Sequence, residues 1–222
     1  MTAEAIDRAE AATTVVAAIM KANRDYETWS RGDWLSDCAS EGLMHAVVAK
    51  VLHRKGWGPV ALEAPISWLK TGVKQGEGRR GRLPKGLRAH GRCDVVILEP
   101  AGSYEVAVMV ELKRLQAMTG WQSDLERLAE SVGRYGCAAS SRLQFGMLAG
   151  LTVASTSSGL ERLHDALAAE VGSWNEHWRD RRVTLELHGL AQAKAMHTEG
   201  YPEYASWRHS AFAVTVAPAR TA

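Results

Sequence analysis

Two apolar, β-branched runs dominate the middle of the chain. Arg92-Cys93-Asp94-Val95-Val96-Ile97-Leu98 and Tyr104-Glu105-Val106-Ala107-Val108-Met109-Val110-Glu111-Leu112-Lys113-Arg114 flank the turn Glu99-Pro100-Ala101-Gly102-Ser103. This pattern predicts a β-hairpin. Ile6 to about Asn23 is Ala-rich and predicts a helix. The polar stretch Asp25 to Trp34 predicts a connecting turn. Ser36-Asp37 sets up an N-cap for a helix to Arg54, with Leu43, Val47 and Val51 as its stripe and Gly56 as its stop. Pro59 to Ser67 predicts a strand, its prolines pointing to an edge or to strand ends. After a loop at Leu115 to Gly120, Trp121 to Tyr135 predicts a helix with Trp121, Leu125, Leu128 and Val132 on one face. Asp124, Arg127 and Glu130 lie elsewhere on it. Leu143 to Ala154 predicts a buried strand, Leu160 to about Trp178 a helix, and Arg182 to Leu190 and Ala211 to Val216 strands. Ala191 to Arg208 fits neither period. From 37 to 154 the order is helix, strand, strand, strand, helix, strand. A mixed sheet with a helix on either face is the natural way to bury it.

Composition narrows the class. The chain has 222 residues, 46% of them hydrophobic, enough for one domain or one domain with an extension. No apolar run approaches the roughly 20 residues that span a bilayer. The start, Met-Thr-Ala-Glu-Ala-Ile-Asp-Arg, has acids where a signal peptide carries only positive charge. Cys38, Cys93 and Cys137 are widely spaced and odd in number, which fits a reducing, cytoplasmic setting.

Charge changes the picture more. Net charge is only +2, but Lys70, Lys74, Arg79, Arg80, Arg82, Lys85, Arg88 and Arg92 face a single acid, Glu77, within one segment. That segment carries +7 and leaves −5 for the remainder. It also holds six glycines: Gly72, Gly76, Gly78, Gly81, Gly86 and Gly91. A glycine-rich basic loop in an otherwise acidic chain points to a polyanion partner.

The chemistry sits beside it. Side chains alternate along a strand, so Glu111 and Lys113 share a face. Hairpin pairing brings Asp94 toward them. Two carboxylates and a lysine at a buried strand end are costly unless a cation binds there. Hard divalent cations bind through one or two carboxylates together with substrate phosphate. Asp94, Glu111 and the Leu112 carbonyl are the candidate ligands. Lys113 is the candidate for orienting or activating water or for stabilising the transition state.

Asp94, with Glu111-x-Lys113 following 17 positions later and then a helix and an apolar strand, resembles the PD-(D/E)xK nuclease superfamily. The resemblance covers about Asp37 to Ala154. It implies a restriction-endonuclease-like α/β fold: an αβββαβ core whose central mixed sheet is flanked by helices, with an N-terminal helix and a C-terminal α/β extension. The corresponding division is 1–35, 36–155 and 156–222, the last part extending the same domain. It also implies Mg²⁺- or Mn²⁺-dependent phosphodiester hydrolysis, usually of DNA, with Asp94 and Glu111 as metal ligands and Lys113 as the catalytic lysine. Many members add a glutamate from the helix before the first strand, and Glu41 matches that position. On its own Glu41 reads as a carboxylate favouring a helix N-terminus. Polar residues of the helix after the lysine often face the site, which makes Gln122 and Asp124 candidates. Cys93 stands where the family pattern has proline. Many restriction-like enzymes are dimers, so a homodimer is expected by analogy.

Other signals are weaker. Trp68 and Trp121 flank the loop and the lysine and are candidates for stacking on bases, whereas Trp57, Trp174, Trp178 and Trp207 suit core packing. No histidine pair has zinc-ligand spacing, and His164, His177 and His188 read as surface or capping residues. Gly76-Glu77-Gly78 lacks the strand and helix of a nucleotide site. The expectation is an Mg²⁺-dependent deoxyribonuclease. The alternatives are a non-catalytic nucleic-acid-binding module of the same fold and a protein-interaction component of a defence or repair complex.

Overall fold

The computed structural model describes residues 5–36, 41–71, 87, 91–100, 104–115, 121–136, 141–195 and 205–219. Its helices are α1 (Arg8–Ser30), α2 (Glu41–Lys55), α3 (Gln122–Ser131) and α4 (Ser157–His177). Its strands are β1 (Val60–Pro65), β2 (Arg92–Leu98), β3 (Val106–Leu115), β4 (Phe145–Ala154), β5 (Val183–Lys194) and β6 (Arg208–Pro218). The strands form one six-stranded mixed sheet in the order β1-β2-β3-β4-β6-β5. β1, β2 and β3 form an antiparallel meander, β4 runs parallel to β3, and β6 and β5 add antiparallel strands beyond it. The α3 crossover is what a parallel β3/β4 pair requires.

The central strands have helices on both faces, which is why β3 and β4 read as continuous apolar runs. On one face α1 and α2 cover Val95, Ile97, Val108, Val110, Leu112, Met147 and Ala149. Ala11, Ala12, Ala18 and Ala22 keep that side of α1 slim, so Val15, Val16 and Ile19 are buried with the sheet residues. The N-terminal helix is thus an integral part of one layer. On the other face α3 and α4 cover Val96, Met109, Leu148, Phe212 and Val214. Trp121, 1% exposed, meets Trp174 and Phe212 edge-on at centroid distances of 5.3 and 5.6 Å. It pins the start of α3 against α4 and β6.

Several boundaries differ from the sequence expectation. α1 runs through the expected turn at 25–34 as far as Ser30. Its polar residues serve the helix: Lys21 pairs with Asp25 one turn on, Thr28 bonds the Arg24 carbonyl, and Asn23 accepts the Leu35 N–H. Arg31 then ends it in the left-handed conformation, φ 63°. The helix expected to Tyr135 stops at Ser131 and passes into a π-helical turn, Val132–Gly136. The ambiguous 191–208 stretch partly belongs to the sheet: after an irregularity at His188/Ala191, β5 continues to Lys194 opposite Arg208. Gly58 packs so tightly that a Cβ there would lie 2.0 Å from the Leu98 carbonyl oxygen, which makes glycine obligatory at the entry to β1.

Candidate functional site

The β2/β3 ladder pairs Val95 with Val110. Beyond that pair, the Leu112 N–H donates to Asp94 Oδ2 at 2.8 Å. The aspartate side chain therefore takes an interstrand N–H in place of a backbone carbonyl. In an extended strand a residue's N–H and C=O leave on the same side, so the Leu112 carbonyl also turns toward β2. This contact draws Asp94 to the stretch of β3 that carries Glu111 and Lys113.

Those two side chains face α3. Glu111 is 1% exposed, and its Oε1 lies 2.7 Å from an Arg127 guanidinium nitrogen. The same nitrogen lies 2.8 Å from Asp124 Oδ1, and Asp124 Oδ2 is 3.1 Å from Lys113 Nζ. Arg127 and Asp124 are one helical turn apart, so α3 supplies both bridging charges from one face. Burial pushes the Glu111 carboxyl up to about 8; Arg127 opposes this, and Asp94 and Asp124 add to it. Burial alone would depress Lys113, but the hydrogen bond and charge of Asp124 outweigh it and hold the ammonium above its ordinary range. Burial also raises the neighbouring Cys93 thiol, with Glu111 and Asp94 pushing the same way.

On its other side Asp94 meets α2 and β1. His45 Nε2 is 3.8 Å from Asp94 Oδ2, and His45 Nδ1 is 3.6 Å from Glu63 Oε1. His45, Glu63 and Asp94 each offer one ligand atom within 4.8 Å of the other two, so this group is able to hold a metal ion. Imidazole alongside two carboxylates suits several divalent cations.

Among the expected site residues, Asp94 contacts the backbone of Leu112, whose neighbours Glu111 and Lys113 turn their side chains to Arg127 and Asp124 of α3. Asp124 joins them through Lys113, while Gln122 is exposed. Glu41 opens α2, where its carboxylate lies 3.8 Å from Arg114 Nε. The α2 side chain that meets Asp94 is His45, one turn later. Of the basic segment, Lys70 and Arg92 are described and both are exposed. Arg92 also donates to the Glu63 carbonyl at 3.2 Å. Lys74, Arg79, Arg80, Arg82, Lys85 and Arg88 lie outside the described residues.

Three sequence expectations need correction or filling in. Trp121 is a core residue and does not offer its ring for stacking, because the apolar face of α3 begins with it. Trp68 is only partly buried and lies 5.0 Å from the Tyr104 ring. His164 is buried, bonded through Nε2 to Ser210 Oγ at 2.9 Å, and burial lowers its pKa. It ties α4 to β6 and is not a surface residue. Sequence reasoning misses the roles of His45, Glu63 and Arg127. The signal for His45 is its place one turn after Glu41. The signal for Arg127 is its i,i+3 spacing from Asp124. Glu63 gives none.

No helix among the described residues is long and apolar enough to cross a membrane. Compared with known proteins, the chain matches no family model, no curated protein and no solved structure.

Proposed function

We propose that the chain is a metal-dependent endonuclease of the PD-(D/E)xK type, hydrolysing phosphodiester bonds in DNA. The observation that supports this reading is the Asp94–Leu112 contact, because it sets the Asp94 carboxylate against the backbone of the residue between Glu111 and Lys113 although 17 positions separate Asp94 from Glu111. The element order α2-β1-β2-β3-α3-β4, with an antiparallel meander and a parallel fourth strand, agrees with the αβββαβ core that the motif implies.

The donor set fits a hard divalent cation such as Mg²⁺ or Mn²⁺: two carboxylates and the Leu112 carbonyl. Asp94 and Glu111 would hold the ion, with Glu41 at the mouth of α2 as the further carboxylate that the resemblance adds. Glu111 is paired with Arg127 at 2.7 Å, so a bound ion would share or take over the place of that guanidinium. A bound ion would polarise the phosphodiester and make water a better nucleophile. The chain's own residues do the remainder. Lys113, held protonated by Asp124, places positive charge where the phosphate gains negative charge. Arg127 and Asp124 fix the Glu111 and Lys113 side chains against β3. The basic segment that starts at the exposed Lys70 and ends at the exposed Arg92, two residues before Asp94, would lie along the phosphate backbone.

The test is nicking of supercoiled plasmid in Mg²⁺ or Mn²⁺, with single-stranded DNA and RNA in parallel. Asp94→Ala and Lys113→Ala proteins are expected to lose cleavage by a factor of about 10² or more. Equal cleavage by parent and variants would contradict the reading.

A further inference from the structure

The distances around His45 are too long for hydrogen bonds and too short for indifference. At 3.6 and 3.8 Å, neither Glu63 nor Asp94 completes an N–H···O bond with the ring. Yet His45 is only 8% exposed, and its buried Nε2 has no hydrogen-bond partner among the described residues. A buried imidazole nitrogen aimed at a carboxylate without a bond is costly unless a further partner engages it. Ligand atoms held tetrahedrally by one ion at about 2.0–2.2 Å lie roughly 3.4 Å from each other. Taking one ligand atom from each residue, the three atoms of His45, Glu63 and Asp94 all lie within 4.8 Å of one another, a set that small side-chain shifts would close on a single ion.

We propose that His45, Glu63 and Asp94 form a binding site for a transition-metal dication of the Mn²⁺ or Zn²⁺ class, separate from the Asp94–Glu111 position. The donor set decides the class. Imidazole suits borderline transition metals, whereas Mg²⁺ prefers oxygen in a strict octahedron and gives up water reluctantly. The geometry also separates the two positions. Glu111 and Lys113 are engaged by Arg127 and Asp124 on the α3 side, while His45 reaches Asp94 from α2 and Glu63 from β1. Asp94 belongs to both. Three protein ligands with Glu63 half-exposed leave a coordination position open to solvent, the arrangement of a site that takes an exogenous ligand.

Metal-depleted full-length protein, titrated separately with Mn²⁺, Zn²⁺ and Mg²⁺ by equilibrium dialysis, tests this directly. The Mn²⁺ form is also measured by electron spin echo for ¹⁴N coupling from a bound imidazole. The expected result is ¹⁴N-coupled Mn²⁺ in the parent, abolished in His45→Gln, with Mn²⁺ and Zn²⁺ affinity falling at least about ten-fold and Mg²⁺ affinity nearly unchanged. Glu63→Gln, at a half-exposed position where folding is not at stake, weakens Mn²⁺ and Zn²⁺ similarly. Glu111→Gln keeps the ¹⁴N signal, so loss of cleavage in that variant and loss of this site are told apart. No transition-metal binding, or binding without ¹⁴N coupling that His45→Gln and Glu63→Gln leave unchanged, would overturn the proposal.

Discussion

Asp94 Oδ2 accepts the Leu112 N–H at 2.8 Å, so one side chain both closes the end of the β2/β3 ladder and heads the candidate site. The two roles separate chemically. Asparagine at this position still offers an oxygen to the N–H but no charge to a cation. Asp94→Asn should therefore unfold within about 1 kcal/mol of the parent, while Asp94→Ala strands a backbone donor and costs about 1–3 kcal/mol. Urea midpoints at constant slope check both.

Glu111 gives the fold a pH signature. Its carboxyl titrates near 8 in the folded chain against an ordinary 4.5, because burial disfavours the charge more than Arg127 favours it. Between those values the folded state binds the extra proton. Stability therefore falls as pH rises from about 4.5 to about 8 and levels off above, since the slope follows the difference in bound protons. Glu111→Gln should remove that slope. Unfolding midpoints of parent and variant across pH 5–9 would disprove this if the two curves ran parallel.

Trp121 follows the Glu111-x-Lys113 strand closely enough to suggest base stacking, yet it is packed edge-on against Trp174 and Phe212. Its replacement by alanine should cost about 3–5 kcal/mol of stability. A nucleic-acid platform would instead leave the thermal midpoint in place and weaken binding alone.

The basic segment carries a prediction of a different kind. Replacing Arg79, Arg80 and Arg82 with glutamine should weaken DNA binding across sequences and lower the slope of log affinity against log salt by about 0.9 for each phosphate no longer neutralised. Protein stability should not move. Fluorescence anisotropy at several salt concentrations reads both affinity and slope, and an unchanged slope would exclude these arginines from binding the phosphate backbone.

The layers are legible in the sequence because long periodic segments carry their own signal. The β2/β3 hairpin, the Trp121–Leu125–Leu128 stripe of α3 and the apolar run of β4 all fall where the pattern places them. The Asp25–Ser30 stretch misleads because a helix can present a polar face for a full turn or more when its ions pair at i,i+4 and its end is capped. Within the site, Asp94, Glu111 and Lys113 can be read from strand alternation. Arg127 and His45 cannot, because their parts depend on which helix face crosses which strand end. Glu63 is hidden further still: it sits in β1 with φ 51°, a backbone state that no periodicity forecasts.

Single-turnover cleavage of a labelled DNA duplex, with Mg²⁺ or Mn²⁺ added to metal-depleted protein, tests whether Asp94 serves a metal-dependent nuclease. The parent is expected to cleave only with metal, and Asp94→Asn to lose cleavage while staying within about 1 kcal/mol of parent stability. Absence of metal-dependent cleavage by the parent, or an Asp94→Asn protein that cleaves at the parent rate, would contradict this expectation.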